Sequence, residues 1–184
     1  MKRKMVDPWV SHPHIWKTKA AFFSFLRGGI RRGIWERNPA KIDFKNKIME
    51  LPPASYTGRG KSGQKCALSG TWYNKSALEV DHIEGNVSLN DWCDVEDFIK
   101  HLTCVGDNMQ VVGRAEHKIK SHAEKYGMTY DEAAWDKIAI EKTKGSVLKV
   151  KRDMLGRGAS TSQMSNGKTR RAFYYELAKS GKLK

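Results

Sequence analysis

Apolar and aromatic residues recur at helical intervals between Ile15 and Arg37, at Ile15, Trp16, Phe22, Phe23, Phe25, Leu26, Ile30, Ile34 and Trp35, which predicts an amphipathic helix. Gly28 and Gly29 fall in its middle and predict a break or kink there. A second helical stretch covers Ala40 to Glu50 and is ended by Pro52 and Pro53. The pattern lapses in the small, polar, glycine-rich run Tyr56 to Gly63, the most credible boundary in the chain. Beyond it, Gln64 to Leu68 and Ala77 to Ile83 are expected as two short strands around a turn at Gly70 to Lys75. Helical spacing returns from Asp91 to Leu102 through Trp92, Val95, Phe98 and Ile99, as a helical insertion. A short apolar stretch, Asn108 to Val112, then leads into good helix formers from Arg114 to Tyr126, stopped by Gly127. Thr129 and Glu132 form a capping-box signature for a helix to about Lys144. Gly156 to Gly167 is a Gly- and Ser-rich loop, and Lys168 to Lys179 a last basic helix. The sum is an α+β chain in three parts: a helical extension over 1–60, a mixed core over 61–126 and a second helical extension over 127–184.

Charge gives these parts different characters. The formal net charge is +14, which argues for a polyanionic partner, because Lys and Arg release condensed counterions on meeting phosphates. Residues 1–60 carry 13 basic and 4 acidic side chains, 61–126 carry 8 and 10, and 127–184 carry 13 and 6. A neutral to acidic centre between basic flanks suits a cation-binding catalytic core with extensions that grip nucleic acid. The alternative from charge alone is a basic ribosome-associated or chaperone-like protein. Cys66, Cys93 and Cys104 are an odd number at irregular spacing, which is no disulfide framework and fits a reducing cytoplasm. No apolar run approaches the roughly 20 residues that span a bilayer, so no membrane partner is expected.

The chemistry-bearing feature is a constellation: adjacent Asp81 and His82 at the end of an expected strand, Asn108 after the insertion, and His117 nine residues further on an expected helix. Phosphodiester hydrolysis needs a base that works near neutral pH, which imidazole supplies. It also needs a cation, held by hard or borderline ligands, to bear the charge developing on phosphate and leaving-group oxygens. Neighbours on a strand point to opposite sides, so one of Asp81 and His82 can face a metal while the other faces the attacking water.

The stretch from Cys66 to Lys120, CALSGTWYNKSALEVDHIEG and then DNMQVVGRAEHKIKS, resembles the HNH endonucleases, whose core is a small ββα-metal fold. The resemblance implies Asp81 and His117 as metal ligands, His82 as general base, and Asn108 as the residue that holds the catalytic loop and orients the base. It extends to phage-encoded, free-standing homing-type nucleases through the aromatic and Arg-rich first helix, the DW…FI…LTC insertion, the AW…KIAIEK helix and the SNGKTRRAF tail. Many relatives also bind a structural zinc with two CxxC pairs. Here those positions read Cys66, Ser69, Gly113 and Glu116, so no structural zinc is expected, and packing by Leu68, Trp72 and Val112 is expected to pin the hairpin instead. Some members place a second helical ligand four residues after the first. Here it is Ser121, with His122 rotated by about 140° from His117. A cation held by Asp81 and His117, with water and DNA oxygens completing its sphere, is expected to be Mg²⁺ or Mn²⁺.

Arg27, Arg31 and Arg32 on the first helix, Lys168, Arg170 and Arg171 on the last, and Arg114, Lys118 and Lys120 around His117 are the candidate phosphate contacts. Trp16, Phe22, Phe25 and Trp35 are expected in a core, Glu79 beside Asp81 is a supporting carboxylate or a solvated one, and His12, His14, His101 and His122 are given no role. The expectation is a monomeric enzyme that nicks or cuts double-stranded DNA to 5′-phosphate and 3′-hydroxyl ends. The alternative is a catalytically weak HNH-type DNA-binding subunit or regulator of a larger phage DNA-processing machine, and RNA cleavage is a third option.

Overall fold

The computed structural model describes residues 5–85 and 87–183. Helices α1 (Pro8–Ser11), α2 (Lys19–Ile30) and α3 (Pro39–Lys47) come first, followed by strands β1 (Gly63–Lys65), β2 (Trp72–Asn74) and β3 (Leu78–His82). Helix α4 (Val95–Leu102) and strand β4 (Met109–Gly113) lead into α5 (Arg114–Tyr126), α6 (Tyr130–Thr143), α7 (Val147–Gly156) and α8 (Gly167–Lys179). The architecture is α+β, mostly helical, with two separate two-stranded antiparallel sheets, β1–β2 and β3–β4. The chain divides into two compact units, Met1–Arg114 and Ala115–Lys184. Among the described residues no helix is long and apolar enough to cross a membrane.

In the first unit, the N-terminal helices and the strands share one core. Phe22, Phe23 and Trp35 are buried with Leu78, Val80, Leu89, Phe98, Leu102, Met109 and Val111. The aromatic residues of α2 are therefore structural, with one exception: Phe25 is 59% exposed. Helix α2 starts cleanly because the Thr18 side chain accepts the Ala21 N–H. It then passes through Gly28 and Gly29 without the break expected there, and the irregularity comes later, as a π-helical turn at Arg31–Trp35. That wider turn puts Trp35 into the core, and three residues later the Asn38 side chain accepts the Ala40 N–H and caps α3.

Two strand expectations need correction. The segment expected as a strand from Gln64 to Leu68 is extended only to Lys65, and its partner is Trp72–Asn74, inside the expected turn. Strand β3 instead pairs with β4, with Leu78 opposite Gly113, Asp81 opposite Gln110 and His82 opposite Met109. The reason is burial: Leu78, Val80 and His82 are buried on one face of β3, and β4 places the buried Val111 and Met109 opposite Val80 and His82, completing an apolar layer there.

The second unit is helical. Helix α5 ends at Gly127, whose φ of +64° lies in the left-handed region that glycine tolerates. The Thr129–Glu132 capping box starts α6. Helix α7, which the polar Gly-rich surroundings concealed, is capped by Ser146 and buries Val150 and Met154. These pack with Ala139 of α6 and with Tyr174 and Ala178 of α8.

Candidate functional site

The first unit brings Asp81, His82 and Asn108 to one end of the β3–β4 sheet. On β3, His82 ends the buried row of Leu78 and Val80, while Glu79 and Asp81 alternate onto the half-buried face. The two neighbours thus look in opposite directions, as strand geometry requires. Asn108 ends the turn just before β4. Its side-chain oxygen accepts the Glu84 N–H at 2.8 Å and its amide donates to the Glu84 carbonyl at 3.4 Å. The Asn108 carbonyl also accepts the Ile83 N–H at 3.2 Å, and Gln110 Nε2 donates to the His82 carbonyl at 3.2 Å. The backbone leaving His82 is therefore tied down at three successive residues.

His82 is 8% exposed, and its ring lies between two others. Trp35 stacks on it with centroids 4.0 Å apart and planes at 27°, and His101 stacks with it at 3.9 Å and 24°. His82 Nε2 lies 3.1 Å from the His101 carbonyl oxygen. A carbonyl only accepts, so Nε2 carries the hydrogen, and in the neutral ring the basic lone pair resides on Nδ1. Neither ring partner was foreseen. His101 lies three residues after Phe98 on α4, on the side of that helix that turns inward, and this spacing was the available signal.

Cys66 is buried, and its sulfur accepts the Gly113 N–H at 3.3 Å. Next to it the Ala67 N–H donates to the Val111 carbonyl at 2.9 Å. Burial pushes the Cys66 thiol up, but hydrogen bonds from the Gly113 N–H, the Ser69 hydroxyl and the Leu68 and Ser69 N–H groups together outweigh it and hold the thiol below its ordinary range. The hairpin is thus pinned to β4 by a sulfur with backbone donors around it. Of the three residues expected to replace a zinc by packing, Val112 is buried, Trp72 is half-buried, and Leu68 is 37% exposed and does not serve. Cys66, Cys93 and Cys104 are free thiols.

His117 belongs to α5 in the second unit and is half-buried there. Among the described residues no group of three or more His, Cys, Asp or Glu side chains is gathered as a metal centre.

The candidate phosphate contacts separate into two sets. Arg31 lies over the Phe98 ring at 5.6 Å, and burial holds its guanidinium below its ordinary value, with Arg27 adding to the effect. Arg114 pairs with Glu79 at 3.2 Å and Lys120 with Glu124 at 3.3 Å. Arg170 donates to the Met164 carbonyl at 3.1 Å. Arg171 grips Asp136 with two nitrogens, one at 2.7 Å, and His122 Nε2 meets the same carboxylate at 2.7 Å. His122, given no role from sequence, thus joins α5 to α6 and α8 through a buried Asp. Arg32, Lys118 and Lys168 are exposed, while Arg27 is half-buried in the last turn of α2.

Comparison with protein-family models, with curated proteins and with solved structures finds no significant match.

Proposed function

We propose that the chain is a metal-dependent DNA endonuclease of the HNH type, as the resemblance implies, with its reaction centre at the end of the β3–β4 sheet. The observation that carries the reading is the state of His82: it ends a strand beside a carboxylate of opposite facing, its Nε2–H is engaged by a carbonyl, and the loop after it is closed by Asn108. That is what a general base needs, namely one fixed tautomer and a fixed backbone.

In this reading His82 Nδ1 takes a proton from the attacking water. The His101 carbonyl holds the opposite nitrogen throughout, and because it lies in the last turn of α4, the partial negative charge of that helix end favours the imidazolium that forms. Asn108 keeps Ile83 and Glu84 in place so that the strand end does not recoil. Asp81 offers a hard carboxylate to the cation, and His117 is assigned the second ligand position by the resemblance. When bound, Mg²⁺ or Mn²⁺ supplies charge compensation at the phosphate and leaving-group oxygens. The product ends are 5′-phosphate and 3′-hydroxyl.

The test is conversion of supercoiled plasmid to nicked or linear forms by the purified full chain, with Mg²⁺ or Mn²⁺ and not in EDTA, alongside an RNA substrate of matched length. Cleavage of DNA alone, only with the cation, supports the proposal. One observation favours a second reading, a DNA-binding subunit on a retained nuclease scaffold: His82 is almost wholly enclosed. That reading predicts DNA binding without cleavage under every metal.

A further inference from the structure

We propose that His101 and Trp35 are positioning residues that seat the His82 ring for proton transfer, which makes the segment inserted between β3 and β4 part of the reaction centre; this rests on the nuclease reading above. A histidine side chain has two freedoms that matter to a base: the tilt of the ring plane, about a broad terminal torsion, and the flip that exchanges its two nitrogens. The structure restrains both. Trp35 and His101 hold the plane from its two faces at 4.0 and 3.9 Å, closer than the roughly 4.5–7 Å at which aromatic pairs commonly sit. The His101 carbonyl fixes the flip by accepting Nε2–H at 3.1 Å. One residue, His101, thus restrains both freedoms.

The clamp is itself anchored. Phe98 and Leu102 bury the inner side of α4 in the same core as Trp35. Asn38, three residues after Trp35 and buried, donates to the Leu102 carbonyl at 3.2 Å and to the Cys104 carbonyl at 3.5 Å. The Cys104 N–H donates back to the His101 carbonyl at 3.3 Å. The segment that supplies one ring therefore also holds the end of the helix that supplies the other. An aliphatic neighbour would bury His82 equally well, but only flat partners on both sides hold its plane.

The experiment uses the full chain with Mg²⁺ on supercoiled plasmid and compares His101→Ala, which keeps only the carbonyl, with His101→Phe, which keeps a flat face as well. His101→Ala is expected to lose at least about tenfold in kcat with KM for DNA within about twofold, and His101→Phe to stay within about threefold of the parent. Trp35→Phe is expected to behave like His101→Phe. If His101→Ala fails to fold, His101→Leu, which fills the space without a flat face, carries the comparison. In parallel, nitrogen-15 NMR of the His82 imidazole reads the tautomer independently of cleavage: a single Nε2–H form is expected in the parent, in His101→Phe and in His101→Ala alike, because the accepting carbonyl belongs to the backbone and survives each substitution. An active parent with His101→Ala equally active, or with His101→Phe as impaired as His101→Ala, overturns the proposal and leaves the nuclease reading standing. An inactive parent with a single Nε2–H tautomer overturns the nuclease reading, and with it the catalytic purpose of the seat. A mixed tautomer in the parent overturns the seat itself.

Discussion

Cys66 shows how a single sulfur can pin a turn to a strand. Its sulfur accepts the Gly113 N–H at 3.3 Å, and both residues are buried. Cys66→Ala is expected to cost about 1–3 kcal/mol, the penalty of leaving a buried donor unsatisfied, read as a lower denaturant midpoint. Zinc chelation is expected to leave the parent's midpoint unchanged. At this scale the sequence was informative where chemistry needs a spacing, as with Asp81, His82 and Asn108. It was silent where a role is created by stacking: nothing near His101 in the chain announces Trp35, which lies 66 positions away.

Among the elements, α5, α6 and α8 are joined by one carboxylate. Burial alone would raise Asp136, yet the hydrogen bonds from Arg171 and His122, with their charges, outweigh it and hold the carboxyl below its ordinary value of 3.8. A depressed folded value means that its stabilisation is present above the ordinary value and is lost as pH falls through the folded one. Thermal melting is therefore expected to show an acid limb that begins below about pH 4, and Asp136→Asn to flatten it. Asp136→Ala is expected to cost about 2 kcal/mol, less than the roughly 3–5 of a fully buried pair, because Arg171 is partly exposed. Helices whose signals are local were legible: α5 runs from Arg114 to the glycine stop, and α6 starts at its capping box. Strand pairing was not, because the partner of β3 lies beyond a whole helix, and only the burial of Leu78, Val80 and His82 against β4 selects it. Helix α7 lacks a clean apolar stripe in its sequence, because Leu148 and Leu155 are exposed.

For the whole molecule, the +14 charge overstates the number of cations available to a polyanion, since Arg31, Arg170 and Arg171 are engaged within the fold. The exposed Arg32 and Lys168 are better placed to meet phosphate. Binding to duplex DNA is expected to weaken linearly in logarithmic salt, and Arg32→Ala and Lys168→Ala are each expected to reduce the slope by about one. Arg171→Ala is expected to lower stability instead. The account as a whole turns on His82, and the decisive measurement follows cation-dependent plasmid cleavage and duplex binding side by side for the parent and for His82→Ala. Cleavage lost by at least about a hundredfold with the binding constant retained is the expected result, the scale on which a general base contributes; cleavage by His82→Ala at the parent's rate contradicts it.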